Sequence, residues 1–249
     1  MAHAGTVAPG GFRTYVPRAE ADTALFCFPH AGGAASFFSS WAALAPAHVV
    51  VHAAQYPGRE DRFGEPPATG IPDLADELAA EIAAFRKHRV ILFGHSLGAL
   101  LAYEVAVRLE DEAVPARRLV VSGMGAPQQV SGTFSGFQDL PSAVAELRRL
   151  GGTDTEVLET PGLLDLLAPI FKADSDLAAQ YRHTPGRMLT ATPVEVYFGD
   201  RDPDLGPAQA EHWSAVAART ETAVFPGDHF YLTPRRAEVL TSVLRPHAI

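Results

Sequence analysis

Cysteine is nearly absent from this chain of 249 residues. The one present, Cys27, cannot close an intramolecular disulfide or build a cysteine-based metal site, which fits a reducing compartment. Its neighbours Leu25, Phe26 and Phe28 mark it as a buried strand residue. No run approaches the roughly 18 consecutive apolar residues of a membrane span, and the N-terminus lacks the basic-then-apolar layout of a secretion signal. A soluble, cytoplasmic protein is expected. Lysine is scarce too, with Lys87 and Lys172 alone among 20 basic residues, and 29 acidic residues leave a formal charge of -9. That balance excludes broad electrostatic binding to nucleic acid or an anionic membrane. Internal repeats and low-complexity tracts are missing. What remains is 47% hydrophobic, enough to bury a sizeable core. Residues 1–249 are expected to form one domain, and the protein a monomer.

Apolar runs alternate with helical patterns, the signature of βα units around a mostly parallel sheet. Strands are expected at Thr23 to Phe28, Val49 to Ala53, Val90 to Phe93, Leu119 to Ser122, Val194 to Phe198 and Thr222 to Phe225. Helices are expected at Pro72 to Phe85, Leu97 to Leu109, Pro207 to Ala217 and Pro234 to Leu244, with apolar residues at three- and four-residue steps such as Leu74, Leu78 and Ile82. The first dozen residues read as a frayed tail. The alternation breaks between about 126 and 192, where Pro141, Gly151, Gly152, Pro161, Gly162, Pro185 and Gly186 separate short helical pieces at Ser142 to Leu150 and Leu163 to Ala173. An ordered segment of that length between strands is usually functional, and it reads as a helical lid.

Gly94-His95-Ser96-Leu97-Gly98 matches the strand-turn-helix pattern of a nucleophile elbow, in which a sharp turn exposes a serine hydroxyl and small residues relieve crowding. With 11 serines and 21 glycines, chance supplies about 0.08 such matches, so context carries the weight: an apolar strand runs in and a helical pattern runs out. An alcohol is a poor nucleophile at neutral pH, so Ser96 requires a base held by a carboxylate. In this arrangement the order is serine, acid, histidine. His183, His212, His229 and His247 qualify by position, and His229 stands out in the turn Pro226-Gly227-Asp228-His229-Phe230 after the last strand. For the acid, Asp200 and Asp202 compete after the strand ending at Phe198; Asp202, before Pro203, is favoured, and Asp200 suits a turn-capping role. The oxyanion needs two backbone donors. Leu97, just after the nucleophile, supplies one, and the loop Phe28-Pro29-His30-Ala31-Gly32-Gly33 supplies the other through Ala31. His30 has no second histidine at ligand spacing and is expected to orient this loop by hydrogen bonding; no metal or cofactor is expected. Together these features predict an α/β-hydrolase fold, a mostly parallel central sheet with flanking helices and a helical lid insertion.

The assembled motifs resemble the type II thioesterases that accompany polyketide synthases and nonribosomal peptide synthetases. The matching pieces are FPHAGG at 28–33, QYPGREDR at 55–62, GHSLGALLAYE at 94–104, GDRDP at 199–203 and GDHFYL at 227–232. The resemblance implies hydrolysis of aberrant or stalled acyl groups from the phosphopantetheine thiol of acyl or peptidyl carrier proteins. It also implies a triad of Ser96, Asp202 and His229 with Ala31 and Leu97 at the oxyanion. Tyr56-Pro57-Gly58-Arg59 belongs to the family signature and is expected to be structural. Ser122-Gly123-Met124-Gly125-Ala126-Pro127 departs from relatives, which often carry arginine between the glycine and the alanine-proline pair. Carrier proteins are typically acidic, so docking would need local basic patches, for which Arg117-Arg118, Arg148-Arg149 and Arg235-Arg236 are candidates.

Overall fold

The computed structural model describes residues 10–85, 88–130, 140–150 and 163–246. Its sheet has seven strands: β1 (Phe12–Arg13), β2 (Thr23–Phe28), β3 (Val49–Ala54), β4 (Arg89–His95), β5 (Arg118–Ser122), β6 (Val194–Gly199) and β7 (Thr220–Phe225). They lie in the order β1-β3-β2-β4-β5-β6-β7, with β1 antiparallel to β3 and every other pair parallel. β2, β3, β5 and β6 are buried along their whole length because both faces of the sheet are covered there, whereas β7 at the edge is largely exposed. Along β2, Ala24, Phe26 and Phe28 enter one core while Leu25 and Cys27 enter the other. Cys27 is buried and free.

The first core is covered by α2 (Ile71–Ala83) and α3 (Leu97–Asp111), the second by α1 (Ser39–Leu44) and by a C-terminal helix at Arg236–Leu244. In α2 the buried residues Ile71, Leu74, Ala75, Leu78 and Ile82 form one stripe, and a proline opens the helix where its missing N–H costs nothing.

Three expectations are corrected. Gly11 and Phe12 are not frayed: Phe12 is buried and pairs with Ala54, and the Gly11 N–H is held by Glu81. The expected helix from Pro207 to Ala217 stops at Glu211 and continues as a 3-10 turn, His212–Ala215, which turns Trp213 inward so that its indole N–H meets the Met124 carbonyl at 3.0 Å. Between 126 and 192 no strand forms among the described residues. There α4 (Pro127–Val130), α5 (Leu140–Leu150) and α6 (Leu163–Gln180) are present, and α6 runs seven residues past its expected end at Ala173. Gly151, Gly152, Pro161, Gly162 and His247 lie outside the described residues. The helices at Pro207–Glu211 and Arg236–Leu244 are α7 and α8. From α6, Leu177, Ala178 and the following Tyr181 join the α2 and α3 core.

Candidate active site

The elbow forms where β4 meets α3. Ser96 has φ 54° and ψ -125°, a left-handed conformation that costs a non-glycine residue on the order of 1–2 kcal/mol. The turn is this sharp because backbone lies where side chains would be. A Cβ on Gly94 would overlap the Gly98 carbonyl, and one on Gly98 would overlap the Phe28 carbonyl. The Ser96 N–H donates to the Ser122 carbonyl at 2.8 Å, which seats the elbow on the end of β5. Ser96 is half-buried.

On the far side of β5, the loops after β6 and β7 are laced together. Asp200 Oδ1 accepts from the Gly227 N–H at 2.8 Å, and the Arg201 N–H donates to the Gly227 carbonyl at 2.8 Å. His229 Nδ1 lies 2.9 Å from Asp202 Oδ2, and the two side chains are 3% and 0% exposed. Asp202 Oδ1 is occupied by the N–H groups of Asp204, at 2.9 Å, and Leu205, at 3.3 Å. The structure thus pairs His229 with Asp202, while Asp200 caps the histidine's own loop. His229 Nε2 is buried with no hydrogen-bond partner among the described residues. The imidazole stands over Gly123: a Cβ there would come within 2.9 Å of Cε1 of both His229 and His95. Of the other positional candidates, His183 contacts Tyr103 at 3.2 Å and His212 sits in the 3-10 turn.

The loop carrying Ala31 reaches the elbow because Gly98 packs directly on the carbonyls of Phe28 and Pro29. Residues 30–33 form a turn closed by the Gly33 N–H on the His30 carbonyl at 2.9 Å, with Gly32 at φ 76°, where a type II turn requires glycine. His30 does not orient the loop through Nδ1. Its Nδ1 is buried without a partner among the described residues, and its ring packs edge-on against Phe37 and Phe230 at 4.7 and 4.9 Å. Burial first, then His229 and Arg59, pushes its pKa down to about 3, so the imidazole is neutral. His95 is likewise held well below its usual range, chiefly by burial, and its Nδ1 meets the Ser122 hydroxyl at 3.0 Å. That hydroxyl meets the Tyr231 hydroxyl at 2.7 Å.

Tyr56 and Arg59 were expected to be structural, with no partner named. They grip the Ala31 loop: Tyr56 donates to the Pro29 carbonyl at 3.0 Å and Arg59 Nη1 to the Gly33 carbonyl at 2.9 Å. Arg59 also makes a two-pronged pair with Asp174 of α6, at 2.8 and 2.7 Å. The partners are 115 residues apart, so spacing could not join them.

The arginine pairs expected to be free for docking are partly committed. Arg118 is 2% exposed and lies 3.1 Å from Glu195. Arg149 holds Glu146 and Asp204, and Arg235 holds the Pro226 carbonyl and Glu238. Among the described residues no group of three or more His, Cys, Asp or Glu could hold a metal ion.

The Thioesterase domain profile matches residues 23–246, which takes in the elbow, the Asp202 loop and His229. The chain belongs to that thioesterase family. Relatives of the chain include a probable cadicidin biosynthesis thioesterase of Streptomyces griseus, 37% identical over 93% of this chain and 64% of the relative. The chain therefore spans slightly under two thirds of that relative's length. Thioesterase PikA5 of Streptomyces venezuelae is 34% identical over 93% of this chain and 83% of its own. Among solved structures, the type II thioesterase BorB from the borrelidin biosynthetic cluster superposes with a TM-score of 0.83 at 36% identity, covering 96% of this chain and 100% of BorB. The fold is the α/β-hydrolase fold, with a mostly parallel sheet flanked by helices.

Proposed function

We propose that this protein is a type II, editing thioesterase: a serine hydrolase that releases aberrant or stalled acyl groups from the phosphopantetheine thiol of acyl or peptidyl carrier proteins. The observation that carries the reading is the Asp202–His229 pair, whose imidazole packs 4.8 Å from the ring of His95 in the elbow and has a buried Nε2 without a partner among the described residues. Asp202 accepts from Nδ1–H, which fixes the neutral tautomer with its basic lone pair on Nε2.

In the proposed cycle Ser96 Oγ attacks the thioester carbonyl while His229 Nε2 takes the hydroxyl proton. The amides of Ala31 and Leu97 receive the developing oxyanion. As the C–S bond breaks, the thiol leaves with the proton from His229, and an acyl-Ser96 ester remains. Water then loses a proton to His229, attacks the ester and releases the acid, restoring Ser96. Every group in the cycle comes from this chain or from water, so no cofactor takes part. The segment 126–192 serves as the lid of a single domain, and the carrier protein is the partner of a monomeric, cytoplasmic enzyme. Long-range attraction to an acidic carrier is not available at a formal charge of -9, so docking rests on local contacts.

The test compares wild type with Ser96→Ala on an acyl-carrier thioester, a matched oxygen ester and a fluorophosphonate probe. Expected are labelling of wild type alone, thioester turnover lost in the variant, and preference for the thioester. Absence of labelling in both would remove the serine mechanism, and a preference for the oxygen ester would make the protein an esterase.

A further inference from the structure

The turn that holds Ala31 is secured on two sides of different origin. From the sheet side come the Tyr56, Gln55 and Arg59 bonds to the Pro29 carbonyl, the Ala35 N–H and the Gly33 carbonyl. From α6 comes one bond: Asp174 Oδ2 accepts the Gly32 N–H at 2.7 Å. The peptide that carries this N–H begins at the Ala31 carbonyl, so its plane, and with it the aim of the Ala31 N–H one residue earlier, is set partly by a residue 142 positions away. Phe171, one turn before Asp174 on α6, lies where a Gly32 side chain would be.

The buried face of α6 includes Asp174, Ser175, Leu177 and Ala178, and continues to Tyr181, so its charged member stands in an otherwise largely apolar contact. A buried ion pair adds little net stability over apolar residues of the same volume, but it is strongly directional. Asp174 and Arg59 are each 5% exposed and doubly bonded to each other, and both also bond the turn backbone. Displacing α6 would strand both charges and free the Gly32 N–H together.

We propose that Asp174, with Arg59, is a positioning pair that makes the oxyanion turn competent only when α6 is seated. The pair touches neither substrate nor reacting atoms and acts through Gly32 and Gly33 on Ala31. The inference rests on the reading of Ala31 as an oxyanion donor.

Two double variants isolate the effect. Arg59→Leu with Asp174→Leu removes the charges and the Gly32 acceptor together; Arg59→Gln with Asp174→Asn removes the charges but keeps an acceptor for Gly32. Kinetics are read on an acetyl thioester of N-acetylcysteamine, alongside melting temperature. The leucine pair should melt near wild type and lose at least about tenfold in kcat with KM changed less than about threefold, as misplacement of an oxyanion donor predicts. The amide pair should recover kcat to within about threefold of wild type, because the acceptor for Gly32 is restored. Wild-type kcat in the leucine pair, equal losses in both pairs, or a loss confined to KM would each overturn the inference. If the leucine pair does not fold, Asp174→Asn against Asp174→Ala decides: a kcat difference below about twofold overturns it. Ser96→Ala, run in parallel, separates the two levels. Activity surviving Ser96→Ala defeats the reading of the site, whereas its loss there beside unchanged kinetics in the leucine pair defeats this inference alone.

Discussion

Two arginine–aspartate pairs tie helices of the 126–192 segment to loops of the candidate site. Asp174 of α6 meets Arg59 with side chains 5% exposed on each partner. Arg149 of α5 meets Asp204 in the acid loop with side chains 42% and 50% exposed. Both pairs are two-pronged, and both end close to a functional position: Gly32 next to Ala31, and Asp204 whose N–H binds Asp202. Their surroundings differ. Around Arg149, water and salt screen the charges, so the contact marks where α5 rests without fixing it firmly. Around Arg59, the charges have no alternative partner in solvent, so the contact is made fully or lost at a large cost. The same chemistry gives a soft tie on one helix and a hard one on the other.

Breaking the hard tie from one side should have the largest effect. Arg59→Ala leaves Asp174 buried and unpaired and is expected to lower unfolding free energy by about 3–5 kcal/mol in chemical denaturation; a change under about 1 kcal/mol would show that water reaches the pair and erase the contrast. Next comes Gly32→Ala. It forces a side chain onto φ 76° and into Phe171, and is expected to cost about 2–4 kcal/mol, with kcat falling as α6 is pushed off the turn. Acid probes the buried imidazoles of His30 and His95 in the candidate site and of His52, which packs on Phe26 and Phe85. His30 is lowered to about 3 and His52 to about 4 from 6.5, mainly by burial, and His95 is lowered as well. Their folded-state pKa values lie below the unfolded value, so the unfolded chain binds protons first. Stability is therefore full above pH 6.5 and falls as pH drops, by about 1.4 kcal/mol per pH unit for each histidine. Melting curves from pH 7 to pH 4 check this, and a flat profile would mean that the imidazoles are solvated. The smallest effect belongs to the soft tie: Arg149→Ala should cost no more than about 1 kcal/mol, and 1 M salt should reproduce most of that loss in wild type.

The contrast also explains what could be read from the sequence. Six strands were legible as short, mostly apolar runs, and β2, β3, β5 and β6 prove buried throughout, whereas β7 is largely exposed. β1 was not, since two residues carry no periodicity and Phe12 is fixed by tertiary contacts with Ala54 and the sheet. The Asp202–His229 pair was legible because each residue sits in a turn after a strand, and parallel neighbours β6 and β7 bring those turns together. Arg59 and Asp174 were illegible as a pair. Arg59 was expected to be structural and Asp174 carried no signal of its own, and only the fold, by laying α6 over the 30–33 turn, makes the two a buried contact. Among the candidate docking arginines Arg118 shows the converse: it reads as surface, yet strand β5 carries it inward to Glu195.

Asp202 has no oxygen to spare. Oδ1 is committed to the N–H groups of Asp204 and Leu205, and Oδ2 alone is left for His229. An asparagine at this position would therefore be oriented by its own turn, with the carbonyl oxygen held by the backbone and the amide nitrogen turned to the imidazole. A donor would then face Nδ1, the ring proton would move to Nε2, and the lone pair would sit on the wrong nitrogen. A single-atom change would leave the architecture intact and reverse the polarity of the histidine.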